Sequence, residues 1–401
     1  MTDLQNKAFA TRSVHAGERL HQAGIHPVVS PIHPSVGYTF ADSTDLDAVL
    51  GNEKPGFVYS TRYANPTVAA LETAVANLEG AEDALAFASG MAAIHSAFLA
   101  AGVRAGAAVV SAVDVYGATY TLLQQIFTEL GAYVTFVDVT NLDEVREVVT
   151  AVKPVALFAE TISNPLMKVA DLPQLAAIAH NNDALFLVDN TFCSPYLCNP
   201  IQFGADMAIH SATKFIGGHG DVMGGIVATT SALKARLLTI NKLIGSSIGP
   251  FEAWLALRGL KTLTLRMKQH CQNALTIASW LQAHPQINHV NYAFLPDHPQ
   301  YDLMHALSNG KGGGGVLSFD IAHAGKEQVF VFMDALELIQ PATSLGDIYS
   351  LILYPAISSH RTLTSAERAN LGIGDGLVRI SVGIEDVVDI REDIAQALER
   401  I

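Results

Sequence analysis

Charge is scarce in this chain: 15 % of its 401 residues are charged, where soluble proteins average about 25 %. Half of the residues are apolar, which excludes a disordered chain, since that needs low hydrophobicity and high charge. Positive charge is the scarcer sign, with 24 basic residues against 38 acidic ones and a net charge of −14. No nucleic-acid partner is expected, because phosphate binding needs clustered Lys and Arg. Cysteine is limited to Cys193, Cys198 and Cys271. There is no CxxC pair, and an odd count closes no disulfide framework, so a reducing, cytoplasmic location is expected. The opening MTDLQNKAFATRSVHAGERL has no signal-peptide core. The longest uncharged stretch near membrane length, 84–103, contains Ser89-Gly90 and His95. It reads as a buried strand followed by a small-residue helix, and no membrane partner is expected. Low charge with much apolar surface suggests that another subunit covers part of it.

The first 60 or so residues carry Pro27, Pro31, Pro34 and Pro55 without sustained periodicity and read as an extended arm. A helix is expected from Val68 to Leu78, after Asn65-Pro66-Thr67. Seven short apolar runs follow, at 84–88, 107–113, 132–137, 155–160, 184–189, 206–210 and 224–229, with helical patterns filling most gaps. Runs buried on both faces and joined by helices predict a mostly parallel, doubly wound α/β sheet. Ligands on such sheets sit beyond the C-terminal strand ends. One long helical pattern covers 251–284. Expected strands at 316–321, 336–340 and 378–383 and a closing helix from Glu385 suggest a smaller C-terminal α+β domain. The expected divisions are an arm at 1–62, a large domain at 63–257 and a small domain at 258–401.

The sharpest chemistry lies in His210-Ser211-Ala212-Thr213-Lys214-Phe215-Ile216-Gly217-Gly218-His219. A lysine in a polar turn is ordinarily a solvated side chain. Here the neighbouring run Leu185-Phe186-Leu187-Val188 ends in Asp189. An Asp there is often only a cap. Together, however, Lys and Asp at adjacent strand ends are what an aldehyde cofactor with a basic ring nitrogen requires. The amine forms a Schiff base and the carboxylate keeps the ring nitrogen protonated. Ser89-Gly90-Met91 stands at a strand-to-helix turn, where free amides hold anions, and with Ser211 and Thr213 it makes a phosphate cup. Tyr116, after the run ending at Val113, is placed to lie on a ring face or to be a half-buried edge tyrosine.

These residues stand in eight ordered motifs: NPT at 65–67, ASGMAAI at 88–94, VYGATY at 115–120, ETISNP at 160–165, VDNTF at 188–192, HSATKFIGGH at 210–219, SLGD at 344–347 and VRISVGIED at 378–386. The chain resembles the Cys/Met-metabolism (transsulfuration) family of pyridoxal-phosphate enzymes from about Thr11 to Ile401. The family includes cystathionine γ-synthases, cystathionine γ- and β-lyases, methionine γ-lyases and O-acetylhomoserine sulfhydrylases. The resemblance implies an aspartate-aminotransferase-type fold (fold type I) and pyridoxal 5′-phosphate as cofactor. It also implies a homo-oligomer, a dimer of dimers whose N-terminal arm contacts a neighbouring subunit. By position, Lys214 would hold the cofactor and shuttle protons. Asp189 would pair with the ring nitrogen, and Tyr116 would stack on the ring and act as acid or base at the leaving group. Gly90, Met91, Ser211 and Thr213 would bind phosphate, and Asn164 would face the ring hydroxyl. Arg379 would grip the substrate carboxylate beside Ser344. Arg62, with Tyr59, would reach a neighbour's phosphate.

Three departures from the family pattern stand out. Tyr59-Ser60-Thr61-Arg62 is one residue longer than the family's Tyr-x-Arg. Ala118 replaces the Cys usual in bacterial methionine γ-lyases. Tyr349 occupies the place where cystathionine-handling members often carry Glu. The expected activity is γ-elimination, a C–S lyase reaction on cystathionine, methionine or homocysteine. γ-Replacement of the cystathionine γ-synthase or O-acylhomoserine sulfhydrylase type is the alternative, and a non-catalytic family member is the reading from another class. A nicotinamide site at 310–315 fits GxGxxG only formally, because a strand pattern follows it. His210 and His219 lack a third metal ligand.

Overall fold

The structure is a computed structural model describing residues 4–18, 27–51, 53–60, 64–358, 361 and 364–401. The apolar runs become β1 (Asp83–Phe87), β2 (Ala108–Ala112), β3 (Tyr133–Val137), β4 (Ala156–Glu160), β5 (Leu185–Asp189), β6 (Met207–Ser211) and β7 (Gly225–Thr229). They form one seven-stranded sheet in the order β1-β7-β6-β5-β4-β2-β3. Pairing is parallel from β3 through to β6, and β7 runs antiparallel to both of its neighbours. The expected mostly parallel α/β sheet is therefore present. Its strands are buried on both faces because helices cover them: Pro66–Glu79 and Gly90–Ala100 are among those packed on the sheet. The first begins at Pro66, two residues before the expected start, because the Asn65 side chain accepts from the Thr67 and Val68 amides.

A second sheet comprises β8 (Ile287–Asn291), β9 (Val316–Ile321), β10 (Gln340–Pro341), β11 (Leu351–Leu353) and β12 (Leu377–Ser381), ordered β10-β11-β12-β9-β8. It has its own core, including Leu317, Phe319, Ile352, Ile380 and Ile394. The strand expected at 336–340 is reduced to the pair 340–341, because the amides of 337–339 bond to the Asp393 carboxylate instead. The single helix expected over 251–284 is two, Pro250–Leu260 and Leu263–Gln282, parted at Lys261-Thr262. The closing helix spans Val387–Leu398, capped by Asp386. The arm is not wholly extended, since Phe9–His15 and Ser43–Leu50 are helical. The second of these is set by Asp42, which caps the Asp45 amide. Arg62 lies outside the described residues. No described helix is long and apolar enough to cross a membrane.

The break at 261–262 has a consequence for the turn after β6. Lys214 sits there at φ −91, ψ −133, outside helical geometry within the helical turn Ala212–Ile216, so the following carbonyls need other donors. Arg266, 3 % exposed, supplies them. Its Nη1 donates to Phe215 O at 2.6 Å and its Nη2 to Ile216 O at 3.3 Å and Gly259 O at 2.8 Å, while Nε reaches Thr262 Oγ1 at 3.1 Å. Gly218 permits this packing, because at φ +72 a Cβ there would lie 2.0 Å from Nη1. Burial pulls Arg266 down to about 10, which leaves it charged at neutral pH. Arg266→Met would strand these carbonyls, each costing about 1–3 kcal/mol when buried unpaired. The denaturant midpoint of that variant should fall well below wild type, and equal midpoints would refute the clamp.

Candidate active site

Three adjacent strands of the first sheet end in polar residues at the same edge. Glu160 and Asp189 are register partners on β4 and β5, and Asp189 pairs with Ile209 on β6, two residues before Ser211. Asp189 Oδ1 accepts from the Thr191 amide at 2.9 Å and from Thr191 Oγ1 at 2.5 Å. The same hydroxyl accepts from the Ser211 amide at 2.8 Å. Thr191 thus fixes the end of β5 against the end of β6. Burial raises both carboxyls above their ordinary values, and the Asp189 charge raises Glu160 further. Glu160 thus holds its proton more readily than an ordinary carboxyl, and its Oε1 accepts the Tyr116 amide at 2.5 Å.

Opposite Ser211, the helix Gly90–Ala100 begins. Ser89 Oγ takes the Ala92 amide at 3.1 Å, and the first intrahelical bond runs from Ala93 to Ser89 O. Gly90 and Met91 therefore present amides with no helical acceptor, at the positive end of the helix. A Cβ on Gly90 would meet Ser211 Cβ at 3.0 Å and Oγ at 3.1 Å, so glycine leaves the cradle between them open. Thr213, two residues after Ser211, is held by Gly224, its hydroxyl accepting the Gly224 amide at 3.1 Å and lying 3.4 Å from Gly224 O. These groups suit an anion.

The third component comes from the second sheet. Arg379 on β12 is 3 % exposed. Its Nη1 donates to Asn164 Oδ1 at 3.3 Å and its Nη2 to Ser344 O at 3.2 Å. Its Nε is buried without a partner. Among the described residues no carboxylate bonds to it, and burial pulls it down to about 10 with Tyr116 opposing. Lys214 Nζ donates to Ser344 Oγ at 3.3 Å. Burial, followed by the Arg379 charge, pulls the amine below the ordinary lysine value, while Asp347 opposes. The arrangement thus combines an amine of lowered proton affinity, a buried guanidinium with an unpartnered Nε, a carboxylate at a strand end and a cradle of free amides.

Hydrogen bonds join Lys214, Ser344, Arg379 and Asn164, and Asp189 and Ser211 stand against the helix start at Gly90 and Met91, with Thr213 between Ser211 and Lys214 in the chain. Tyr116 stands beside them with its ring 47 % exposed, and Tyr349 is 55 % exposed on the loop after Ser344. Tyr59 is not joined to them. It is 49 % exposed and bridges Gly37 on the arm. Glu160 and Arg266 also lie in or against the site, outside the residues to which the sequence points. Glu160 carried the same signal as Asp189, an acid closing an apolar run. His210 is explained by Glu79, whose Oε1 lies 2.6 Å from its Nε2 with both side chains buried. Among the described residues no cluster of three or more metal-ligating side chains occurs.

The Cys/Met metabolism PLP-dependent enzyme family matches residues 10–399. An O-succinylhomoserine sulfhydrylase of Pseudomonas aeruginosa is 41 % identical over 399 residues, covering 99 % of this chain and 96 % of that one. A cystathionine γ-lyase of Bacillus subtilis is 45 % identical over 349 residues, 86 % and 89 % of the two chains. The crystal structure of a cystathionine γ-synthase from Xanthomonas oryzae pv. oryzae superposes with a TM-score of 0.90 at 36 % identity, covering 98 % of each chain. That likeness agrees with the expected aspartate-aminotransferase-type fold and with the described sheet order. The chain belongs to the Cys/Met metabolism family of pyridoxal-phosphate-dependent enzymes.

Proposed function

We propose that this enzyme catalyses γ-elimination on a sulfur-containing amino acid such as cystathionine, methionine or homocysteine. The observation that carries the reading is the convergence of Lys214, Ser344 and Arg379, an amine of lowered proton affinity beside a buried guanidinium. The residues present fit pyridoxal phosphate. The Gly90 and Met91 amides with Ser211 and Thr213 would hold its phosphate, and Asp189 would hold its ring nitrogen protonated. Asn164 would face its hydroxyl, and Lys214 would bind its aldehyde carbon. When bound, the cofactor supplies a ring that accepts electrons from substrate carbons.

The chain's own residues do the rest. Arg379, lacking a bonded carboxylate of its own, takes the substrate α-carboxylate as a fork and fixes which face meets Lys214. Lys214 removes the Cα proton and then serves the neighbouring carbons, for which a lowered ammonium pKa is suited. Tyr116, half exposed above the site, delivers a proton to the departing sulfur. Tyr349 puts no anion at the distal end of the pocket, a site better suited to a short or neutral γ-substituent than to a distal ammonium group. The similarity to the P. aeruginosa sulfhydrylase favours the second reading, γ-replacement, in which a thiol adds at the γ-carbon and the amino group is kept, whereas elimination loses it as ammonia on hydrolysis to a 2-oxoacid.

The site is also proposed to be completed across subunits in a dimer of dimers, with Tyr59 and Arg62 reaching a neighbour's phosphate from the arm. Large apolar side chains left exposed on one chain, among them Val28, Met223, Leu243 and Leu265, support such covering. A cytoplasmic location agrees with three buried, unbridged cysteines.

Purified wild type should carry a visible cofactor band that disappears in Lys214→Ala, with kcat lowered at least about 100-fold. A colourless wild type after cofactor addition would refute the assignment of Lys214. Arg379→Ala should raise KM by about 10- to 100-fold, as expected for a lost charge-assisted carboxylate contact. An unchanged KM would place the carboxylate elsewhere. Product analysis on L-cystathionine, L-methionine, L-homoserine and O-acetyl-L-homoserine, with and without thiol, separates the two readings. Elimination predicts 2-oxobutanoate without thiol, whereas turnover that requires thiol supports replacement. Pyruvate from cystathionine alone would mean β-chemistry.

A further inference from the structure

Glu79 serves none of the roles above. It is buried in the last turn of the helix Pro66–Glu79, where the helix dipole disfavours a negative charge. A carboxylate buried there is tolerated only with donors. Two reach the same oxygen: His210 Nε2 lies 2.6 Å from Glu79 Oε1, and Asn190 Nδ2 donates to it at 3.3 Å. Both partners are buried, and each adjoins a site residue in the chain. Asn190 follows Asp189, and His210 precedes Ser211. Because side chains alternate along a strand, His210 reaches the helix Pro66–Glu79 while Ser211 faces Gly90 on the other side of the sheet. Asn190 extends the network. Its Nδ2 also donates to Cys198 O at 2.8 Å and to Ser194 O at 3.3 Å, and its Oδ1 accepts from Thr161 Oγ1 at 2.8 Å. Its amide donates to Ile209 O at 2.8 Å, and the Thr161 amide donates to Asp189 O at 3.0 Å. The ends of β4, β5 and β6 are thus tied together, and the ties from β5 and β6 meet on the Glu79 carboxylate.

We propose that Glu79 is a positioning residue: by holding Asn190 and His210 on one oxygen, it fixes the spacing between Asp189, at the cofactor's ring nitrogen, and Ser211, at its phosphate. The inference rests on the reading of those two residues as cofactor ligands. Ligands on adjacent strands hold a rigid ring at both ends, so their spacing sets its tilt toward Lys214 and Tyr116. A misplacement of this kind removes no reacting group, yet 1 Å of it costs up to about 100-fold in rate. A buried carboxylate–imidazole pair is, by contrast, a weak source of stability, because apolar residues of similar volume in its place are often neutral or stabilising. Alignment and stability therefore separate in this network.

The test is the double variant Glu79→Leu/His210→Leu as full-length, cofactor-loaded protein. It removes acceptor and donor together, so neither is left buried without a partner, and Asn190 keeps the Ser194 and Cys198 carbonyls. Its thermal midpoint should stay within about 5 °C of wild type. kcat should fall about 10-fold with KM changed less than about threefold. Without substrate, the visible circular dichroism per bound cofactor should drop clearly below wild type, because it reports how the ring is held. Glu79→Gln, which keeps an oxygen for both donors, should retain kcat within about threefold. A double variant with wild-type kcat and dichroism overturns the role of Glu79. One that loses thermal midpoint and cofactor content together also overturns it, since that marks a purely structural part. A loss in Glu79→Gln as deep as in the double variant overturns the shared acceptor. A wild type that retains no cofactor after loading overturns the reading of Asp189 and Ser211 together with this inference, whereas the other outcomes leave that reading standing.

Discussion

The turn that carries Lys214 depends on one buried guanidinium. A strand that ends in a wide, non-helical turn leaves its next carbonyls without ladder partners, and burial makes that costly. Arg266 answers with a planar fork to Phe215, Ile216 and Gly259, reaching from the helix that starts just past the break at 261–262. Other parts of the site refer to this held turn. The loop carrying Ser344 and Asp347 bonds to Gly218, and Ser211 at its start borders the cradle opposite Gly90. The second sheet then brings Arg379 to Ser344 and Asn164, so two cores meet over a single lysine.

A chain with little positive charge concentrates it here. Lys214, Arg266 and Arg379 lie in or against the site, with Asp347 near the first two. Buried charges are tolerated only with partners or hydrogen bonds. Arg266 is satisfied by carbonyls and Asp189 by Thr191, while Asp347 Oδ1 is buried without a partner. Arg379 keeps an unpartnered Nε, and the cradle keeps unaccepted amides. The uncommitted donors are thus those proposed to meet a carboxylate and a phosphate. An acidic chain binds anionic ligands through placement, with no need for an overall positive field.

The strands that position the site were legible in the sequence because each is a short apolar run closed by a polar residue, and Asp189 and Ser211 stand at those closures. Lys214 was legible from the glycines and hydroxyls around it. The second sheet was less so. β11 has three residues and β10 two, too short for a period to show, and their existence depends on cross-strand partners distant in sequence. The helix break at 261–262 was hidden because apolar spacing continues across it. Arg266 was hidden for a different reason. Its burial and partners come from backbone carbonyls and loops far along the chain, and nothing in the local pattern separates such a residue from a solvated one.

The central claim is that Lys214 is the single residue to which the cofactor is covalently attached. Borohydride reduction of the cofactor-loaded protein, followed by proteolysis and mass mapping, tests it directly. The account predicts one pyridoxyl-modified lysine per chain, in the peptide containing His210 to His219 and located on Lys214. Modification of another lysine, or none in a protein that retains the cofactor, would contradict it.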